Sequence, residues 1–245
     1  MHRNEKQDAR SGSLAKSAIL LASVLVFTGC AVTTNVQQID QLESVKENPR
    51  VLLMPPDIRY YLITTGGIPE PHAEWTEAAR TNFAAAVEDY AAEIGTELVV
   101  MDDADLTPTE VRYAELHEAV GLTVLTNHFG ALSLPTKKVG DEKTFDWSLG
   151  PGVAEFAEQY DADYGLFVFY RDEQASGGRV TFAILAAAAG VGVPMGAEYG
   201  FASLVDLRTG DLVWFNVVGA GSGELRNPDG AATAVSTLFK DIPTN

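Results

Sequence analysis

Residues 165–170, GLFVFY, run six positions without a polar alternation. Neighbouring side chains of a strand point to opposite faces, so a strand of this composition must be covered on both. That requires helices on two sides of a sheet. Other runs supply the rest of it. RVLLM (50–54) is a short apolar strand stopped by Pro55-Pro56, DIRYYLITT (57–65) a second extended piece, and 98–101 a further core strand. Residues 201–207 and 212–218 flank Arg208-Thr209-Gly210-Asp211 as a hairpin with a tight turn.

Helical spacing fills the intervals. Trp75, Ala79, Phe83, Val87, Tyr90 and Ile94 recur on one face of a helix opened by Pro71 and ended by Gly95. Thr107-Pro108-Thr109-Glu110 is a capping signal for a helix running to about Leu132, with a break near Gly121. Its inward side is expected to carry Val111, Leu116, Val120, Val124 and Ala131. Residues 135–150 form a polar loop, 148–160 a third helix and 229–241 a closing one, the last with Ala232, Val235, Leu238 and Phe239 inward. The fold class is α/β (α+β): a single mixed sheet covered by helices, with a C-terminal β-hairpin and closing helix. A hydrophobic share of 46% and a charged share of 21% suit such a domain.

The amino terminus has a different grammar. Residues 1–16 are polar and net positive, 17–28 (SAILLASVLVFT) are uncharged and apolar, and Gly29 precedes Cys30, the one cysteine of the chain. Twelve apolar residues match a signal-peptide core and fall short of the ~20 that a spanning helix needs. Phe27-Thr28-Gly29-Cys30 resembles the lipobox of bacterial lipoproteins, with Phe27 where that family more often has Leu. The resemblance implies cleavage between Gly29 and Cys30, a diacylglyceryl thioether and palmitate on Cys30, and a membrane anchor. Ala31 after the cysteine implies the outer membrane, periplasmic face, rather than the inner membrane. The expected organisation is a signal peptide at 1–29, a lipidated terminus and polar tether at 30–48 with a loose helix over 37–46, and one periplasmic domain at 49–245.

The leader carries four basic and two acidic side chains, so the remainder holds 13 basic and 32 acidic ones, a net of −19 against −17 for the whole chain. Such a surface repels phosphate backbones, and nucleic acid is excluded as a partner. The body, over residues 50–242, resembles the amino-terminal domain of TolB and the periplasmic domain of the curli-secretion lipoproteins. Its most specific local piece is SLVDLRTGDLVWFN, Ser203 to Asn216.

Residues 180–197, VTFAILAAAAGVGVPMGA, hold 18 positions without a charge. Three readings stand side by side. The run is a core strand over 180–185 followed by a small-residue turn; or it meets a partner or membrane through Phe182, Ile184, Leu185, Val191, Val193 and Met195; or, as the curli-secretion resemblance implies, it is a hairpin of an oligomeric pore.

Catalytic patterns are missing. Ser176 and Ser222 lack the glycines of a nucleophile elbow, and Gly219 to Gly223 precede Glu224 where a dinucleotide loop needs a third glycine. His72, His117 and His128 stand in no metal motif, and Asp102, Asp103 and Asp105 have no cation-loop spacing, being better read as acidic residues before a helix start. We therefore expect no catalytic residue, metal or cofactor. The expected role is an envelope binding or assembly/secretion accessory module with an envelope protein partner and a capacity for homo-oligomers. The alternative is an envelope hydrolase or small-ligand-binding protein whose site the fold assembles, for example around His117 or His128.

Overall fold

A computed structural model describes residues 33–42, 49–101 and 106–244. The lipobox, including Gly29 and Cys30, and Asp102, Asp103 and Asp105 lie outside them.

The chain opens with β1 (Thr33–Gln37), β2 (Arg50–Leu53), β3 (Asp57–Ile63) and β4 (Pro69–Pro71). Helix α1 (Ala73–Ile94) leads to β5 (Glu97–Val100) and α2 (Pro108–Val124), and α2 runs into a π turn at Leu125–Phe129. A two-strand flap, β6 (Lys138–Val139) and β7 (Glu142–Lys143), precedes α3 (Ala154–Tyr160). Then come β8 (Tyr164–Ala175), α4 (Gly177–Ala188), β9 (Glu198–Asp206), β10 (Leu212–Gly219) and α5 (Pro228–Leu238). The main sheet has the order β1-β10-β9-β8-β2-β5, with β3 added beside β8 and β4 beside β3.

The GLFVFY run lies within β8, at the centre of the sheet. One edge of β8 pairs antiparallel with β9 along nine residues. The other edge is shared by two strands: Val51–Leu53 of β2 pair parallel with its first half, and Asp57–Ile63 of β3 with its second. Pro55-Pro56 divide these partners because proline has no N–H to give a ladder. β2 also pairs parallel with β5, so the sheet is mixed.

Alternate residues of β8 feed two cores. Leu166, Val168 and Tyr170 pack with Tyr60, Trp214, Phe83 and Val87 of α1, and Ala234, Val235 and Leu238 of α5. Phe167 and Phe169 pack with Phe201 and Phe215, Val124 of α2, and Val153 and Phe156 before and within α3. Sheet and helices thus form three layers, as a strand apolar on both faces requires.

Several local expectations need correction. Thr33–Gln37 is an edge strand, paired antiparallel with β10 from Val218 to Trp214, rather than part of a polar tether. Residues 38–42 are not helical, and 43–48 lie outside the described residues. Pro71 belongs to β4, and α1 is instead capped by His72, whose ring accepts from the Trp75 N–H. Val111 and Leu116 of α2 are 43% and 39% exposed, whereas Glu110, His117, Gly121 and Val124 are buried. Glu110 closes the capping box with Thr107 and accepts from the Tyr160 hydroxyl, and His117 finds a buried hydroxyl. Gly121 does not break α2. It admits the Phe201 ring, which would come within 2.0 Å of a Cβ placed there. Strand β5 is only partly buried, and Ala232 of α5 faces solvent while Ala231 and Ala234 turn inward.

Candidate interaction surface

The uncharged run at 180–197 is not a core strand. Residues up to Ala188 belong to α4, a helix with no buried residue. The local reasons are visible. Ser176 caps it, its hydroxyl accepting from the Arg179 N–H at 3.2 Å, and the Thr181 hydroxyl donates to the Gly177 carbonyl. The alanines that follow favour helix over strand. Past Ala189 and Gly190 the chain returns without regular structure to β9. Arg179 ties the excursion together: its Nε donates to the Pro194 carbonyl at 3.2 Å, and its guanidinium lies against Gly67 of the β3–β4 turn. At the rejoining point the Glu173 N–H donates to the Ala197 carbonyl. Gly196 there has φ +133°, and a Cβ would stand 1.9 Å from the Glu173 carbonyl, so only glycine fits.

Of the six residues singled out in this run, five are exposed. Ile184 and Leu185 are 66% and 67% exposed, Phe182, Val191 and Met195 also face solvent, and Val193 is half-buried. Val180 and Ile184 share one face of α4 at helical spacing. Ile68, in the β3–β4 turn, adds another exposed apolar side chain. The arrangement is an apolar, uncharged excursion held by one arginine.

Beside it lies a polar cluster that the sequence reading did not identify. After Tyr170, β8 continues with Asp172 and Gln174 on the same face. The Tyr170 hydroxyl donates to Glu198 at 2.8 Å, and Glu198 also accepts from the backbone N–H groups of Gly221 and Ser222. The Tyr60 hydroxyl donates to Glu224 at 3.3 Å. Arg226 grips Glu224, donates to Gln174 at 2.9 Å, and lies over the rings of Trp75 and Tyr60. The Arg226 hydrogen bond holds the Glu224 carboxyl down at about 2. Burial pushes Asp172 up to about 6, and burial also raises both tyrosines, with nearby carboxylates adding to it. Each of these carboxylates has a partner in the cluster: it fastens the GAGSGE segment and the end of β8 to α1. The alternation Tyr170, Asp172, Gln174 was its one signal in the sequence.

The histidines do not converge. His72 caps α1 and stacks on Trp75 at 3.9 Å. His117 is 2% exposed, bonded to the Ser203 hydroxyl at 2.8 Å, between the rings of Phe167 and Phe201. Burial takes it down to about 3, leaving a neutral ring sealed from solvent. His128 packs edge-on to Phe129 and Phe145, and burial lowers it as well. No cluster of three or more His, Cys, Asp or Glu suited to a metal occurs among the described residues. No helix among them is long and apolar enough to cross a membrane.

The molecule is thus a three-layer α/β domain with an exposed apolar excursion. No family model matches the chain, and no curated protein matches it. Among solved structures it is similar to two crystal forms of the PelC dodecamer from Paraburkholderia phytofirmans, one of them a leucine-to-methionine variant. Each has a TM-score of 0.36 and 11% identity over 85% of this chain, and the matches cover 98% and 97% of those chains. A likeness at that level fixes neither function nor assembly.

Proposed function

We propose that this chain is an outer-membrane lipoprotein facing the periplasm, anchored by lipid on Cys30, whose α/β domain is a non-enzymatic binding or assembly/secretion accessory module. The observation that carries the reading is the uncharged excursion of α4 and residues 189–197, exposed on a domain that otherwise buries its long apolar runs. An apolar surface of this kind fits recognition of another apolar surface. The lipobox-like Phe27-Thr28-Gly29-Cys30 supports the address. Two or three acyl chains hold far more firmly than one, at about 0.8 kcal/mol per buried CH₂. His117 is closed in beside Ser203, and Glu198 and Glu224 of the acidic cluster are engaged by Tyr170 and Arg226.

The test is metabolic labelling with palmitate in a bacterial host. The wild type is expected to take up label and to fractionate with the outer membrane, and Cys30→Ala to take up none. Equal labelling of both chains, or of neither, refutes the anchor.

A further inference from the structure

The register of the strands places one rim of the sheet. β8 ends there, with Ala175 opposite Ile63 at the end of β3. β9 starts there, with Glu198 opposite Asp172, and β10 ends there, with Val218 opposite Gly200. β1 begins on the same rim, because Thr33 lies opposite Val218. The α4 excursion joins the end of β8 to the start of β9, so it too stands on this rim, beside the β3–β4 turn with Ile68.

Thr33 follows Cys30 by three residues, a reach of at most about 11 Å even when fully extended. If Cys30 carries lipid, no long tether separates the sheet from the bilayer. The rim that bears α4 is the rim held at the membrane. We infer that α4 and residues 189–195 are a second membrane contact, lying on the phospholipid surface beside the Cys30 lipid; this inference rests on the anchor proposed above.

Chemistry and length favour lipid as the occupant. The excursion has no charge between Arg179 and Glu198, on a chain of net charge −17, so its contact is driven by apolar burial and not by attraction to anionic headgroups. Arg179 itself is bonded within the excursion. Twelve helical residues span roughly 18 Å, well short of the ~30 Å hydrocarbon core, so α4 lies in the interface and does not cross it.

The experiment uses the full chain, processed in a bacterial host and reconstituted in phosphatidylethanolamine–phosphatidylglycerol vesicles. With Cys30 lipidated, Ile184→Cys and, separately, Leu185→Cys each offer one free thiol for an environment-sensitive fluorophore. Thr209→Cys, in the exposed β9–β10 turn at the opposite rim, is the reference. Lipids spin-labelled at the headgroup region or at mid-chain act as quenchers, and unfolding curves verify that each variant is folded. Quenching is expected to be several-fold stronger at 184 and 185 than at 209, stronger for the shallow quencher than the deep one, and unchanged by high salt. Equal quenching at all three sites overturns the inference. So does a label at 184 that lipid cannot quench but that crosslinks copies of the chain, which would make this face a contact between protomers. The mass of the intact chain separates the two claims. Lipid on Cys30 without quenching at 184 sinks the helix contact alone, whereas an unmodified Cys30 sinks the anchor and, with it, the placement of this rim at the membrane.

Discussion

Two apolar runs, one in β8 and one in α4, meet opposite fates in this fold. Leu166 to Tyr170 are among its most buried residues, and Ile184 and Leu185, 14 or more positions later, among its most exposed. Hydrophobicity does not separate them. Shape and position do. The β8 run is built of Phe, Val and Tyr, which favour strands and reach far enough to touch helices on both sides. It also has ladder partners on both edges, β9 on one and β2 with β3 on the other. The α4 run is rich in alanine, starts after β8 has passed its last partner at Ala175, and has no buried residue. An apolar stretch is buried only if the topology brings layers to both of its sides.

The largest effect that tests this contrast is expected in β8. Phe167 is almost fully buried, against His117 on one side and within the Phe201–Phe215 core. Phe167→Ala should cost about 3–5 kcal/mol, from lost transfer energy and the cavity left behind. Urea unfolding measures it. A loss below 1 kcal/mol would mean that this core relaxes freely and that the three-layer account is wrong.

Next in size is a pH effect that sets the two faces of the sheet against each other. On the α1 side, Asp172 has a folded pKa of about 6, above its ordinary 3.8, because of burial and the nearby Glu198 and Glu224, with Arg226 opposing. Its contribution is complete below 3.8 and is lost as pH rises through 6. On the α2 side, His117 stands at about 3, below its ordinary 6.5, so its contribution is complete above 6.5 and is lost as pH falls. Between pH 4.5 and 6 the two slopes oppose each other, each up to about 1.4 kcal/mol per pH unit. Asp172→Asn should therefore gain about 2 kcal/mol at pH 7, allowing for solvent screening, and lose that advantage on acidification. The stability of His117→Gln, which retains a partner for Ser203, should instead rise steadily relative to the wild type as pH falls from 6.5 to 4.5. Parallel pH profiles for all three chains would contradict the assignment.

Much of the architecture was legible because it followed from composition at fixed spacing. GLFVFY implied a central strand, Thr107 to Glu110 a helix start, and the RTGD segment a hairpin, and each is present. Three things were not legible, each for a physical reason. Thr33–Gln37 has no apolar alternation, and it is a strand because the free edge of β10 supplies hydrogen bonds that any backbone can take. The register of α2 depended on Glu110 and His117 finding buried partners on distant elements, which spacing within the helix does not report. The acidic cluster draws on β3, β8, β9 and the segment before α5, so its members are adjacent only after folding. For the α4 excursion, the six residues were identifiable by their lack of charge, but their conformation was open because an Ala- and Gly-rich run satisfies neither period strongly.

The smallest expected effect is the most informative about α4. Leu185→Ser removes an apolar side chain as large as Leu166 of β8, yet it should change the unfolding free energy by no more than about 0.5 kcal/mol, since Leu185 is two-thirds exposed and touches no core cluster. Against the Phe167→Ala cost, that near-neutrality would separate a residue held for folding from one held for contact outside the chain. A loss of 2 kcal/mol or more, measured by the same urea curves, would show α4 to be packed in solution and would return residues 180–185 to the core. If the variant is neutral for stability but weakens attachment to vesicles, the apolar side chain at 185 serves the surface it meets, and the contrast with β8 is one of function as well as position.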